Sequence, residues 1–262
     1  MNLSLQDIAW HRAIGQLVEA LDQPGFWITL VRQLEQYVSF DSWVALLFSN
    51  GQPLVFAECP GADGGLDPLF QDYLAGLYLL DPFYIASRER QAAGLFRLAD
   101  VAPECFEQTD YYQRYFSLNV VADEVQINVP LDDERTLCLS LGSRQRFSPE
   151  HIALLSVVQP WIAALMRQRM AFEQELIAHP VPPAPTWQNR FESVGHKAES
   201  ALTARELDVG HLLLSGCSSK EIARKLAIST ETVKVHRKHI YGKLGIKSQS
   251  ELFALFLEAQ KG

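Results

Sequence analysis

The sequence predicts an α+β chain: an amino-terminal α/β/α sandwich around an antiparallel sheet, followed by a carboxy-terminal all-α domain of four short helices. Three observations carry this expectation. Two hairpin patterns lie among amphipathic helical stretches, a proline cluster interrupts the chain near residue 180, and the charge changes sign across that cluster. Before His196 there are 12 Arg, no Lys and 24 acidic residues, a net charge of −12; from His196 onward the net charge is +4. All eight lysines, Lys197, Lys220, Lys225, Lys234, Lys238, Lys243, Lys247 and Lys261, lie in that last quarter. An acidic body with a basic tail is the asymmetry expected when one end alone meets a polyanion.

The elements follow in order. Asp7 to Leu21 and Gly25 to Val38 read as amphipathic helices. Trp43–Phe48 and Leu54–Glu58 read as a hairpin, because Asn50-Gly51 supplies the positive-φ pair that a tight turn needs. A second hairpin joins Glu124–Leu131 to Arg135–Leu141 through Asp132-Asp133-Glu134. Between them, helical segments are expected near Leu69–Tyr78, Phe83–Gln91 and Thr109–Leu118, with a short strand at Leu95–Leu98. Ser148-Pro149-Glu150 then opens a long helix, reaching about Ile177 with a kink at Pro160. The proline-rich stretch His179–Thr186 ends it, so the expected domains are 1–178, a linker over 179–195, and 196–262.

Size and composition narrow the function classes. With 262 residues, 48% hydrophobic and 21% charged, the chain is globular and large enough for two domains. A net charge of −8 argues against a chain that coats polyanions over its whole surface. The four cysteines show no CxxC spacing, the start lacks a basic and apolar leader, and no window nears the ~18 apolar residues of a membrane span. The expected location is cytoplasmic, with no membrane partner.

The last sixty residues are the most informative. Thr203-Ala-Arg-Glu206, Ser218-Ser-Lys-Glu221 and Ser248-Gln-Ser-Glu251 each have the spacing of a capping box, and Ser229 caps a helix from Thr230 to about Leu244. The joint Ala227-Ile-Ser229 is a tight turn, as a helix-turn-helix requires. At 100° per residue, Val233, Ile240 and Leu244 form an apolar stripe for the domain core. Lys234, Val235, Lys238 and Gly242 fall on the opposite side, flanked by Arg237 and Lys243. That face offers amines to guanine, a methyl-bearing side chain to thymine and cations to phosphates, on a helix about 22 Å long. A merely solvated basic face is the alternative at this point.

Leu202–Glu206, Gly216–Leu226 and Ile228–Leu244 together resemble the LuxR-type helix-turn-helix of bacterial transcriptional regulators. The resemblance implies that the third helix enters the major groove of double-stranded DNA. It places Lys234, Val235 and Lys238 at the bases, and Thr230, Thr232 and Lys243 at the phosphate backbone, with Arg237 beside them and Lys220 as a further candidate. It also implies a homodimer paired through the fourth helix, rich in Leu252, Phe253, Leu255 and Phe256, reading half-sites one helical turn apart. RNA polymerase is the expected further partner. Two positions depart from the pattern: Gly210 replaces a large aliphatic residue, and Gln249 replaces an arginine.

Domains of this type follow several kinds of sensor. A phosphorylated receiver needs a lysine, yet none precedes Lys197, and no GxxxxGK[ST] loop is present. The region is instead similar to autoinducer-binding domains. Leu79-Leu-Asp-Pro-Phe-Tyr84 resembles the Asp-Pro element whose carboxylate accepts a ligand amide, and Phe96 stands where that family packs a tryptophan on the ligand ring. The upstream Trp and Tyr positions fall on Pro68 and Asp72, with Tyr73 one place away, which favours a small effector other than an acyl-homoserine lactone. Candidate ligand residues are Asp81, Tyr73, Phe96, Trp43 and Tyr84.

Three alternatives stay open: an acyl-homoserine-lactone receptor, an orphan regulator controlled by protein partners, and Asp81-Pro82 as a plain helix cap. A cationic amine held by the aromatic residues, with Asp123 and Glu124 nearby in sequence, is conceivable. An enzyme is the rival of another class, but no GxSxG or Cys-His signature appears. His236 and His239 lack companions for a metal site, so no metal and no cofactor are expected.

Overall fold

The computed structural model describes residues 8–49, 53–59, 68–89, 92–120, 122–173 and 202–258. In chain order the elements are α1 (Ile8–Glu19), α2 (Phe26–Glu35), β1 (Ser42–Phe48), β2 (Leu54–Glu58), α3 (Pro68–Ala75), α4 (Pro82–Glu89), β3 (Gly94–Arg97), β4 (Asp123–Pro130), β5 (Thr136–Ser143), α5 (Pro149–Arg169), α6 (Ala204–Leu214), α7 (Ser219–Lys225), α8 (Thr230–Leu244) and α9 (Gln249–Glu258). The expected turn at Asn50-Gly51 and the linker over 179–195 lie outside the described residues. The chain packs as two compact units. One holds the sheet with α1, α2 and α5; the other holds α3, the start of α4, residues 101–119 and the four carboxy-terminal helices.

In the first unit the sheet order is β2-β1-β5-β4-β3, with every neighbouring pair antiparallel. Alternation along the strands gives it two unlike faces. Trp43, Ala45 and Leu47 of β1 share one face with Leu137, Leu139 and Leu141 of β5 and Val125, Ile127 and Val129 of β4. That face forms the core with Leu17 of α1, the Phe26-Trp27-Leu30-Val31-Leu34 stripe of α2, and Leu155, Val158, Ile162 and Met166 of α5. Each fully buried Val, Leu, Ile, Phe or Met of this core stabilises the fold by about 1.5–3 kcal/mol. A buried ion pair closes the end of this layer: Arg169 Nε donates to Glu173 at 2.7 Å, and Glu173 also accepts the Trp27 indole at 2.9 Å. A second Arg169 nitrogen reaches the carbonyls of Leu21 and Gln23, fixing α5 against the turn after α1.

The long helix starts as its sequence indicates, with Ser148 accepting from the His151 amide at 3.2 Å, and it runs through Pro160. It passes into a single 3-10 turn at Met170–Phe172. In the second unit, the chain expected to be helical near Thr109–Leu118 is wound more widely, as a π turn over Tyr112–Phe116. There Tyr112 stacks on Phe116 with centroids 5.6 Å apart, and Thr109 Oγ1 accepts from the Tyr112 amide.

Candidate functional site

The carboxy-terminal helices are set by their caps. Thr203 and Glu206 form a reciprocal capping box on α6, and Ser218 and Glu221 form another on α7. Ser229 accepts from the Thr232 amide at 3.0 Å and starts α8, which ends at Gly245 in the left-handed conformation, φ 67°. At α9, Ser248 accepts from the Glu251 amide, while the Glu251 carboxylate reaches back to the Lys247 amide rather than that of Ser248. The turn between α7 and α8 holds Ala227 at φ 51°, the only positive-φ residue other than glycine among the described residues. Arg205 bonds the Leu226 carbonyl beside it.

The caps leave α8 with one inward stripe and one outward face. Val233 and Ile240 have no exposed surface. On the other side Lys234, Val235, Arg237 and Lys238 are exposed, and Val235 stands 50% exposed among cations. Lys234 pairs with Glu231 at 2.7 Å on the open surface, where such a pair is worth little and yields readily. Arg237 lies over the Tyr241 ring at 5.3 Å. Thr230 and Thr232 sit half-buried at the start of the helix, and Lys220 is exposed on α7.

Lys243 has a different setting. Its ammonium lies 2.7 Å from Glu206 Oε2, and the same oxygen accepts from the Thr203 amide at 2.8 Å. Burial alone would raise the Glu206 carboxyl, but Lys243 and Thr203 hold it below the usual range. Glu206 therefore caps α6 and ties α8 to it at once. Gln249, which stands at the arginine position of the pattern, donates to the Leu213 carbonyl at 2.7 Å, at the carboxy-terminal end of α6. Of the apolar residues of α9, Leu252, Phe253 and Phe256 are buried within the chain, with Arg114 over the Phe253 ring, while Leu255 and Leu257 are half-buried.

Asp81 is the most unusual side chain of the sensor region. It is buried, its Oδ2 accepts from the Tyr73 hydroxyl at 2.7 Å, and its Oδ1 accepts from the Phe83 amide at 2.8 Å. Burial raises its carboxyl to about 6, against the lowering pull of Tyr73 and the Phe83 and Tyr84 amides. Burial and the neighbouring carboxylate likewise push the Tyr73 phenol well above its ordinary value. Tyr73 stacks between Phe70 and Tyr115, while Tyr84 meets Tyr78 edge-on at 5.1 Å. Asp81 also starts α4, since its carbonyl accepts the Ile85 amide. The cap and the Tyr73 partnership coexist in one residue. Just before it, the Leu79 carbonyl lies 2.9 Å from His211 Nε2 of α6, and the Cys105 amide donates to the Gly216 carbonyl at 3.0 Å.

The structure does not bring all five ligand candidates to one surface. Within the sheet unit, Trp43 points into the helical core, whereas Phe96 lies on the opposite face, paired with Gln126. That second face was not anticipated. It carries Glu124, Gln126 and Asn128 from β4 beside Thr136, Cys138 and Ser140 from β5, all buried. Gln126 Nε2 donates to Glu124 Oε1 at 2.8 Å, Ser140 donates to the same oxygen, and Cys138 Sγ donates to Gln126 Oε1 at 2.9 Å.

With this geometry in view, the comparisons with known proteins are specific. The family model for bacterial regulatory proteins of the luxR family (GerE) matches residues 200–256. An HTH-type transcriptional regulator in the exeN 3' region of Aeromonas salmonicida is 35% identical over 183 residues, covering 68% of this chain and 93% of that protein. The chain belongs to the luxR family of bacterial regulatory proteins. The nitrate/nitrite response regulator NarP of Escherichia coli matches only over 63 residues, at 49% identity, covering 24% of this chain and 29% of that protein. The VqsR ligand-binding domain of Pseudomonas aeruginosa is 51% identical in sequence, with a TM-score of 0.59, covering 64% of this chain and 99% of that one.

This luxR-family chain is a transcriptional regulator and not an enzyme, with a DNA-binding helix-turn-helix behind a domain similar to a solved ligand-binding domain. Among the described residues no helix is long and apolar enough to cross a membrane.

Proposed function

We propose that this regulator acts as a cytoplasmic homodimer that lays α8 in the major groove of its operator and is controlled by a small effector bound in the amino-terminal domain. Lys234, Val235 and Lys238 face the bases; Thr230, Thr232, Arg237 and Lys220 serve the phosphates, and Lys243 does so while braced by Glu206. The observation that carries the reading is Val235. It stands 50% exposed between Lys234 and Lys238 on the outward side of α8, where a thymine methyl in the groove would cover it.

Effector control is supported by the buried Asp81–Tyr73 pair in a chain that resembles a ligand-binding domain over 64% of its length. Asp81 follows the Leu77–Leu80 turn directly, and Leu79 of that turn bonds His211 of α6. A ligand that displaces Tyr73 from Asp81 thus bears on the footing of the DNA-binding helices. Dimerisation through α9 would use its half-buried Leu255 and Leu257, and the outward apolar positions Val18, Ile28 and Val157 on α1, α2 and α5 offer a second surface for it. RNA polymerase is the partner through which operator binding acts on transcription.

The test is a titration of operator duplex at several salt concentrations, with and without small molecules that copurify with the protein. The expected result is a log–log salt slope near −0.9 per neutralised phosphate, and an affinity that changes with the copurifying molecule. Salt-independent binding would remove the DNA reading, and equal affinity in both arms would remove effector control.

A further inference from the structure

Residues 101–119 belong to the same compact unit as the four carboxy-terminal helices, and they meet the turn between α6 and α7 backbone to backbone. The Glu104 amide lies 3.3 Å from both carboxylate oxygens of Glu221, and the Cys105 amide donates to the Gly216 carbonyl at 3.0 Å. Gly216, at φ 90°, permits the approach. A Cβ there would lie 2.9 Å from the Phe106 α-carbon and 2.8 Å from Thr109 Cγ2, so at this point no side chain separates the two stretches.

The residue after Gly216 is Cys217. Cys105 and Cys217 are both reduced thiols, the first half-buried and the second 7% exposed. The hydrogen bond limits how far apart they stand. One N–Cα bond, the 3.0 Å N–H···O contact and the step from the Gly216 oxygen to the next α-carbon leave the two α-carbons within about 7 Å. That is the separation up to which a disulfide forms without moving the backbone. The other two cysteines lack such a relation. Cys59 follows the edge strand β2, its amide donating to Trp43 of β1, and Cys138 lies in β5 on the far side of β1. Two strand spacings, about 9 Å, part them.

We propose that Cys105 and Cys217 are a redox modification site, joined by a reversible disulfide when a peroxide reaches the protein, and that the bond pins residues 103–109 to the α6–α7 turn. Cys105 is the more accessible thiol and reacts first. Its sulfur attacks the O–O bond of hydrogen peroxide and keeps one oxygen as a sulfenic acid, while the other oxygen leaves as water. The Cys217 sulfur then attacks the Cys105 sulfur. The S–S bond forms, the S–O bond breaks, and the hydroxyl leaves as a second water with the Cys217 proton. Two thiols are oxidised by two electrons, and one peroxide is reduced to two waters. Cys217 needs no access to solvent in this sequence, because its attack is on a neighbour within the chain. In a reducing compartment such a bond is transient and serves sensing.

The test exposes the full chain to hydrogen peroxide, alkylates the remaining thiols in denaturant, digests with trypsin in the absence of reductant and reads the peptides by mass spectrometry. The expected product is peptide 98–114, which carries Cys105, joined to peptide 206–220, which carries Cys217. Its mass is two hydrogens below their sum, and dithiothreitol separates it. Cys59 and Cys138 are expected to be alkylated at the same dose. Cys105→Ser should leave Cys217 alkylated as well, whereas Cys217→Ser should stop Cys105 at a sulfenic acid that dimedone traps. The oxidised wild type should melt at a higher temperature than the reduced protein, and dithiothreitol should reverse the shift. Alkylation of both Cys105 and Cys217 after peroxide, or links from either to Cys59, Cys138 or a second chain, would overturn the site. A link that forms without any change in melting temperature would overturn the pinning of the turn.

Discussion

Asp81 keeps a carboxyl out of water with Tyr73 and two backbone amides as its company, and its titration should be visible in the stability of the whole chain. Its folded value is about 6, above the ordinary 3.8, so between those values the folded state binds the extra proton. The stability this group contributes is fully present below about pH 4 and is lost as pH rises through about 6. Urea midpoints measured from pH 4 to 7 should therefore fall more steeply for the wild type than for Asp81→Asn; parallel curves would show that Asp81 does not titrate in this window. Val235 makes a complementary prediction on α8. Val235→Ser should reduce discrimination for thymine at one operator position by about 1 kcal/mol, the scale of one buried methyl contact, and leave the salt slope unchanged, because it carries no charge. An unchanged base preference, measured by duplex competition, would return Val235 to the solvent.

Helix caps and strands show how far local sequence reaches. The boxes at Thr203-Glu206 and Ser218-Glu221 were legible because a cap is written within four residues, and the structure reproduces them. The hairpins and the short strand β3 were legible for the same reason. The burial of Glu124, Gln126 and Asn128 was not. Polar residues alternating with Val125, Ile127 and Val129 mark a strand with two unlike faces, but the pattern does not reveal that the polar face is also removed from water. Nor was the second task of Glu206, since its partner Lys243 is 37 residues away. The turn between α7 and α8 offers a test at this scale. Ala227 holds a left-handed conformation at φ 51°, which a Cβ disfavours by about 1–2 kcal/mol. Ala227→Gly should raise the unfolding free energy of the helix-turn-helix by up to about 1 kcal/mol after the entropy of the unfolded glycine is counted, whereas Ala227→Val should lower it. Thermal denaturation followed by circular dichroism decides this, and a loss of stability in Ala227→Gly would contradict it.

At the scale of the whole molecule, the charge divides along the sequence: no lysine precedes Lys197 in an acidic stretch, and a basic end carries the recognition face. The acidic part repels duplex generally, so binding depends on α8 reaching its groove in the right register. That division was plain from the sequence. The grouping of residues 68–85 and 101–119 with the carboxy-terminal helices was not, because the Leu79–His211 and Cys105–Gly216 bonds join residues more than a hundred positions apart. His211→Ala should therefore reduce the difference in operator affinity between effector-free and effector-loaded protein, with little change in the salt slope. A full difference retained in His211→Ala would show that the bond takes no part in control.

Operator recognition depends most on the outward face of α8 reading bases. Selection from randomised duplexes with the full chain, run in parallel for wild type and Lys238→Ala, tests it directly. The prediction is a defined operator for the wild type, and for the variant a relaxed preference at one position with about 1–3 kcal/mol of affinity lost there. Equal weakening on every sequence, or a wild type that selects no sequence over random competitor, would contradict it.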